Sequence, residues 1–109
     1  MESILTSIKK LLGITEEYTH FDPDIIMHIN GVLAILNQMG VGNDGFQITG
    51  STETWDQFTD DLSKISYVKS FVELKVKLLF DPPLNSSVIQ SINELLKELE
   101  WRLYSEKNF

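Results

Sequence analysis

Residues 68–103 read VKSFVELKVKLLF, DPP and LNSSVIQSINELLKELEWRL in turn, and this stretch decides the fold. The first segment carries large apolar residues at helical spacing around more than half of its circumference, which is typical of a helix covered on several sides. Pro82 and Pro83 have no amide donor and disfavour helical angles in the residue before each of them. The first helix is therefore predicted to end near Phe80, at a rigid corner.

The segment after the corner predicts a second long helix. Ser87 and Gln90 have the spacing of a capping box, in which two side chains bond to the unpaired backbone amides of a helix start. The apolar residues that follow form a narrow seam for one neighbouring helix: Ile89, Ile92, Leu96, Leu99 and Leu103. Burial of each such side chain is worth about 1.5–3 kcal/mol, so this seam should hold the two helices together.

Two earlier segments predict further helices. The segment from Ser3 to Leu12 has its apolar residues on one side and is followed by Gly13, which favours a helix end. Asp22 and Pro23 open the next helix, because an acid is a good cap and proline is favoured in a first turn. Gly40 is predicted to end that helix.

The irregular part of the chain follows. Residues 41–54 are rich in glycine and predict a loop, and residues 55–58 predict one helical turn capped by Thr54. We therefore expect an all-α fold with a single domain over residues 1–109. It is a small bundle of four main helices, with the glycine-rich loop and the short turn between the second and third long helices.

The outer side of the helix that begins at Asp22 carries no charge. Its residues are small or neutral: Met27, Asn30, Gly31, Ala34, Asn37 and Gln38. Glycine inside a helix costs up to about 1 kcal/mol relative to alanine, so Gly31 is a candidate for a close contact within the chain or between copies. A tolerated surface glycine is the alternative.

Composition excludes several classes of protein. The chain has 109 residues, 42% of them hydrophobic and 23% charged, which is typical of one globular domain rather than a disordered segment. It has no cysteine, so disulfides, thiol nucleophiles and cysteine-based zinc sites are excluded. The first residues lack the pattern of a secretory signal, and no apolar run approaches the roughly 20 residues of a membrane span.

The charges are unevenly distributed. Sixteen acidic and nine basic residues give a net charge of −7, which argues against a general phosphate-binding surface. No basic residue lies between Lys10 and Lys64, whereas nine acidic residues do. An acidic segment followed by a basic helix can attract a second copy head to tail, and such contacts make a ring when they close. Two solvated faces without a partner are the alternative.

No residue pattern indicates a reaction. Residues 40–45 match G-x-G-x-x-G but follow a helix rather than a strand, so dinucleotide binding is not expected. Asp24 and His28 are four residues apart but have no third metal ligand at helical spacing. We expect no catalytic, cofactor-binding or metal site, and no enzyme.

Several segments together resemble the head-tail connector proteins (head completion or adaptor proteins) of tailed bacteriophages and prophages. They are SIKKLLGI, FDPDIIMHINGVLAILNQMGVG, FQITGSTETWDQF, the helix that ends LLFDPP, and ELEWRL. The DPP corner and ELEWRL are the most specific. The resemblance covers nearly the whole chain and includes no catalytic motif.

The resemblance implies a structural virion protein that forms a ring under the portal and joins the DNA-filled head to the neck or tail. Its partners would be further copies of itself, with the symmetry of the portal, then the portal protein and the next neck or tail-completion protein. DNA would pass through without specific binding. The protein would be found in the host cytoplasm during assembly and then in the virion, with no membrane contact.

Two sets of residues are the predicted contacts of such a ring. The self-assembly set pairs basic with acidic side chains and includes the helix glycine: Lys69, Lys75, Lys77, Asp56, Asp60, Asp61 and Gly31. The portal or tail set comes from the loop and from the aromatic tail: Gly42, Asp44, Phe46, Trp101, Tyr104 and Phe109. An alternative function is an acidic interaction or inhibitor protein that binds a basic host partner.

Overall fold

The computed structural model describes the backbone of residues 2–108 and the side chains of residues 2–104. In this range the chain forms five α-helices and no β-strand: α1 (Ile4–Leu12), α2 (Asp22–Gln38), α3 (Trp55–Phe58), α4 (Ile65–Phe80) and α5 (Ser86–Asn108). The expected all-α bundle of four main helices, with one short turn after the second, is confirmed.

Helix α4 lies at the centre of the bundle. It packs against α1, α2, α3 and α5, whereas α2 and α5 make almost no contact with each other. Its side chains Val68, Phe71, Val72 and Val76 are fully buried. The helix ends at Phe80, directly before the proline corner, as predicted.

The helix caps agree only in part with the sequence prediction. Ser3 caps α1 by accepting a hydrogen bond from the Thr6 amide at 3.2 Å, and Gly13 ends the helix in the left-handed conformation. The predicted capping box at Ser87 is wrong. The side chain of Asn85 accepts the Ser87 amide at 2.8 Å, because an asparagine one residue before the helix is itself a strong cap.

Asp22 does not cap α2 with its side chain, contrary to the prediction. Its Oδ1 atom lies 2.9 Å from Nζ of Lys9 and forms an ion pair with it. Lys9 is only 2% exposed and also donates to the carbonyl oxygens of Glu16 and Tyr18, at 3.0 and 2.8 Å. This buried lysine therefore joins α1, the segment between α1 and α2, and the start of α2.

The glycine-rich loop is fixed to α2 by asparagine side chains. Asn30 donates to the Ile48 carbonyl at 3.0 Å and accepts the Ile48 amide at 2.8 Å, which is how a neighbouring strand would pair with it. Asn37 donates to the carbonyls of Val41 and Asn43. These two asparagines were expected on the outer side of α2, but both are half-buried under the loop.

Gly42 has a structural reason to be glycine. Its φ of 82° is in the left-handed region, and an added Cβ would clash with the tip of the Phe58 ring. The next residue, Asn43, donates its amide to the Phe58 carbonyl at 2.7 Å. The loop thus closes directly over the aromatic side chain that α3 inserts into the core.

Candidate interaction surfaces

The first half of α5 presents apolar residues that α4 does not cover. Of the predicted seam, Leu96, Leu99 and Leu103 are buried, but Ile89 and Ile92 are only half-buried. Further apolar residues of this half and of the preceding corner are exposed: Leu84, Val88 and Leu95. The apolar face of α5 is therefore wider than a seam for one neighbour. We call the row formed by Leu84, Val88, Ser91 and Leu95 the α5 stripe.

The outer side of α2 is the second uncovered surface. Met27 is 62% exposed and Ile35 is 42% exposed, with Gly31 and Ala34 exposed between them. A Cβ added at Gly31 would have no atom within 4 Å. A close contact within the chain therefore does not explain this glycine. We call Met27, Gly31, Ala34 and Ile35 the α2 face.

The three lysines predicted for self-assembly do not form one patch. Lys69 lies 3.5 Å from a carboxylate oxygen of Glu2, and Lys77 lies 2.9 Å from one of Asp81. Lys75 lies over the ring of Phe71, 5.9 Å from its centroid, and on the side of α4 that meets α5. Each lysine thus has an interaction within the chain.

The three aspartates of the predicted interface are all exposed. A hydrogen bond from the Thr54 hydroxyl, at 2.6 Å, lowers the pKa of Asp56. Hydrogen bonds from the Ser63 side chain and amide, at 2.6 and 3.0 Å, lower the pKa of Asp61. Asp56 and Asp61 therefore carry full negative charge in neutral solution. Their pairing with lysines of another copy stays a prediction.

The residues predicted to meet the portal or the tail have different environments. Phe46 is half-buried and packs edge-on against Phe58, with ring centroids 5.6 Å apart. Asp44 is exposed on the loop. Trp101 and Tyr104 are exposed on α5, where they border a cleft of about 400 Å³ with Met39 and Lys97. Phe109 lies outside the described residues.

A cleft beside the start of α2 does not resemble an anion site. It measures about 480 Å³ and lies between α1, the start of α2 and the loop. Among the described residues that line it, the cation is Lys9, which already has two carbonyl oxygens and the Asp22 carboxylate as partners. Among the residues that the structure describes, no group of three or more histidines and acids could hold a metal ion.

The comparison with protein families decides what this arrangement of helices is. A family model described as "Phage connector protein" matches residues 4–108. The chain belongs to this family. No curated protein and no solved structure gives a match.

A phage connector is a structural protein that interacts with other head or tail proteins of the phage, and the family is generally non-enzymatic. The residues that the sequence led us to select as contacts are not tested by this match. Within the described part of this connector, no helix is long and apolar enough to cross a membrane.

Sequence reasoning missed the α5 stripe of this connector. The periodic seam drew attention to the side of α5 that packs on α4, and Val88 and Leu95 were not included in it. A signal was available, because no charged residue occurs between Asp81 and Glu94. An exposed helix half without charges indicates an interface, since interface cores are depleted of charged residues.

Proposed function

We propose that this connector forms a ring under the portal and joins the DNA-filled head to the neck or tail. The family match over residues 4–108 is the observation that supports this function. The rigid bundle around α4, with uncovered apolar surface on both α2 and α5, provides surfaces through which a small protein can join several neighbours.

The electrostatics support the passage of DNA through such a ring. The chain has a net charge of −7. The acids in the segment between α1 and α2, and those near α3, are exposed: Glu16, Glu17, Asp56, Asp60 and Asp61. A ring of negative subunits repels the phosphate backbone, so DNA slides through without binding.

The contacts to the portal and to the next neck or tail protein are assigned to two places. One is the exposed turn of the loop around Asp44, and the other is the aromatic pair Trp101 and Tyr104. Aromatic side chains are enriched where proteins bind each other, because they bury a large area with few rotatable bonds. Asp44 belongs to a loop that hydrogen bonds hold to α2 and α3, so its position relative to the bundle is fixed.

Deletion of this protein's gene from the phage that encodes it tests the function. We expect DNA-filled heads without tails in electron micrographs, and tailed particles again when the protein is supplied from a plasmid. Trp101→Ala tests the aromatic contact, with exposed Gln90→Ala on the same helix as a control that restores tails. Complete, tailed particles without the protein would contradict the function and would favour an acidic protein that binds a host partner.

A further inference from the structure

The net charge of the chain disfavours a contact in which the acids of two copies face each other. At −7 per copy, two molecules repel, and their closest contact must avoid facing carboxylates. The two longest stretches without aspartate, glutamate, lysine or arginine are residues 25–43 and 82–93. The first contains the α2 face, and the second contains most of the α5 stripe. Each of these two uncharged stretches thus carries large apolar residues that the described chain leaves exposed on a helix.

The two surfaces have matching dimensions. Met27 and Ile35 are eight residues apart, or about 12 Å along a helix, and Val88 and Leu95 are seven apart, or about 10.5 Å. A small residue lies in the middle of each, Gly31 in α2 and Ser91 in α5. The Ser91 hydroxyl donates to the carbonyl of Ser87 at 3.1 Å, so it needs no further partner as a donor.

The match in shape allows the two helix backbones to come close. Large side chains at both ends of each surface can pack around the small ones at the centre, which is how ridges of one helix fit the grooves of another. Nothing within 4 Å of a Cβ at Gly31 blocks such an approach. Such packing would cover Val88, which is 45% exposed, and Leu95, which is 48% exposed. Removing this apolar surface from water stabilises the contact.

The two surfaces point to opposite sides of the molecule. Ala34 is nine residues from the buried Ile25, which is about 2.5 helical turns, so the α2 face points away from the core. Met39, at the end of α2, shares a cleft with Tyr104 of α5. Tyr104 is likewise nine residues from Leu95, so the α5 stripe points away from α2.

We propose that the α5 stripe of one copy packs on the α2 face of the next copy, as the subunit contact of the ring that the proposed function requires. Because the two surfaces differ and lie on opposite sides, the contact is heterologous and repeats from copy to copy. Repetition of such a contact closes into a ring when the rotation between copies allows it. In the ring, each copy thus has its α5 stripe covered by one neighbouring copy and its α2 face by the other.

Cysteine crosslinking of the purified protein tests this contact, since the chain has no cysteine of its own. Ala34→Cys would be mixed with Ser91→Cys that carries a larger tag, and a short bismaleimide would be added. We expect the mixed dimer to be the main product, several-fold above the dimer that either variant forms with itself. The control replaces Ser91→Cys by Gln90→Cys, since Gln90 is exposed on another side of α5.

The other outcomes contradict the proposal in different ways. Self-crosslinking of Ala34→Cys as the main product would mean that two α2 faces meet, and self-crosslinking of Ser91→Cys would mean that two α5 stripes meet. No dimer above the Gln90→Cys control would mean that the contact does not exist. Leu95→Arg added to the Ser91→Cys chain should abolish the mixed dimer, and Gln90→Arg added instead should preserve it. A mixed dimer that survives Leu95→Arg would also overturn the proposal.

The crosslinking and gene-deletion experiments can fail separately. Tailless heads together with no mixed dimer would support the function and reject this contact. A mixed dimer together with normal virions in the absence of the protein would support the contact and reject the function.

Discussion

At the residue scale, the buried pair of Lys9 and Asp22 should be the most sensitive polar contact of the fold. We predict that Lys9→Met lowers the free energy of unfolding by about 3 kcal/mol, the low end of the range for breaking a buried pair. The low end applies because 21% of the Asp22 side chain is exposed, whereas only 3% of that of Lys9 is. Urea unfolding followed by circular dichroism measures the change.

Lys10→Met is the matched control, because Lys10 is exposed and its partner Glu2 is also accessible. It should destabilise much less than Lys9→Met. Replacing both members of the buried pair, as Lys9→Met with Asp22→Leu, should recover part of the loss, because no unpaired charge is left. Equal effects of the two lysine variants would show that the Lys9 ammonium is not buried.

Two glycines should respond in opposite directions to the same substitution. Gly42→Ala brings a methyl group into a clash with the tip of the Phe58 ring at a left-handed φ, and we predict a loss of about 2–4 kcal/mol. Gly31→Ala, in an exposed helix with open space around it, should gain up to about 1 kcal/mol. Thermal unfolding of the two variants beside the wild type measures both. A loss in Gly31→Ala would indicate a packing role within the chain.

Sequence alone could not separate residues of the same type. Lys9 and Lys10 are adjacent and follow the same apolar pattern, yet one is buried and the other exposed, because only the fold brings the carbonyls of Glu16 and Tyr18 to Lys9. Gly31 could be selected as unusual from its place in a helix. Whether Gly31 contacts another part of the same chain depends on how α2 packs, and the helical period of the sequence does not specify that packing.

At the scale of elements, α5 has a tightly packed second half and a first half that the chain leaves open. We predict that Leu103→Ala costs about 2–5 kcal/mol, since Leu103 is fully buried against the core. Leu95→Ala should change the stability of the single chain by no more than about 0.5 kcal/mol, because Leu95 is half exposed to solvent. Urea unfolding at low protein concentration tests the pair. A large loss in Leu95→Ala would mean that the chain itself covers the α5 stripe.

The start of α1 is tied to α3 and α4 by a network around Glu2. Glu2 accepts a hydrogen bond from Ser7 at 2.6 Å and pairs with Lys10 and Lys69, and Ser7 in turn accepts from the buried indole of Trp55 at 3.0 Å. The hydrogen bonds from Ser7 and Lys10 lower the pKa of Glu2 to about 2, from 4.5 for an unperturbed glutamate.

This network predicts a pH dependence. A lowered folded-state pKa stabilises the protein above pH 4.5, and the contribution is lost as the pH falls from 4.5 towards 2. We expect the wild type to melt at a higher temperature than Glu2→Gln at pH 6, and the difference to disappear near pH 2. Glu17→Gln, at an exposed site, is the control. A difference that persists at pH 2 would mean that the charge of Glu2 does not cause it.

The helices were predictable because their apolar residues repeat with the helical period and because prolines and glycines mark their ends. The anchoring of the loop was not predictable in the same way. Asn30 and Asn37 read as neutral surface residues, and their bonds to the backbone near Ile48 and Val41 arise only once the loop folds back over α2. The α4–α5 seam was correct at Leu96, Leu99 and Leu103, which are buried. At the start of α5 it is only half-buried, although Ile92 still packs against the core.

At the scale of the whole molecule, salt separates the two contacts considered for self-assembly. A contact between the lysines of α4 and the aspartates near α3 should weaken as salt rises, because the screening length falls from about 10 Å at 0.1 M to about 3 Å at 1 M. The lysines of such a contact would also have to give up partners within the chain, as Lys69 and Lys77 are already paired.

Contact between the α5 stripe and the α2 face predicts the opposite response. Salt screens the repulsion between copies that each carry a charge of −7, and sulfate strengthens the burial of apolar surface. We therefore expect the yield of the mixed Ala34→Cys and Ser91→Cys dimer, and the light scattering of the wild type with its portal, to rise with sodium sulfate. Asp60→Lys combined with Asp61→Lys should leave the dimer yield at high salt unchanged. A yield that falls with salt and is lost in that double variant would instead assign the ring contact to the charged pairs, with the apolar surfaces left for the portal or the tail.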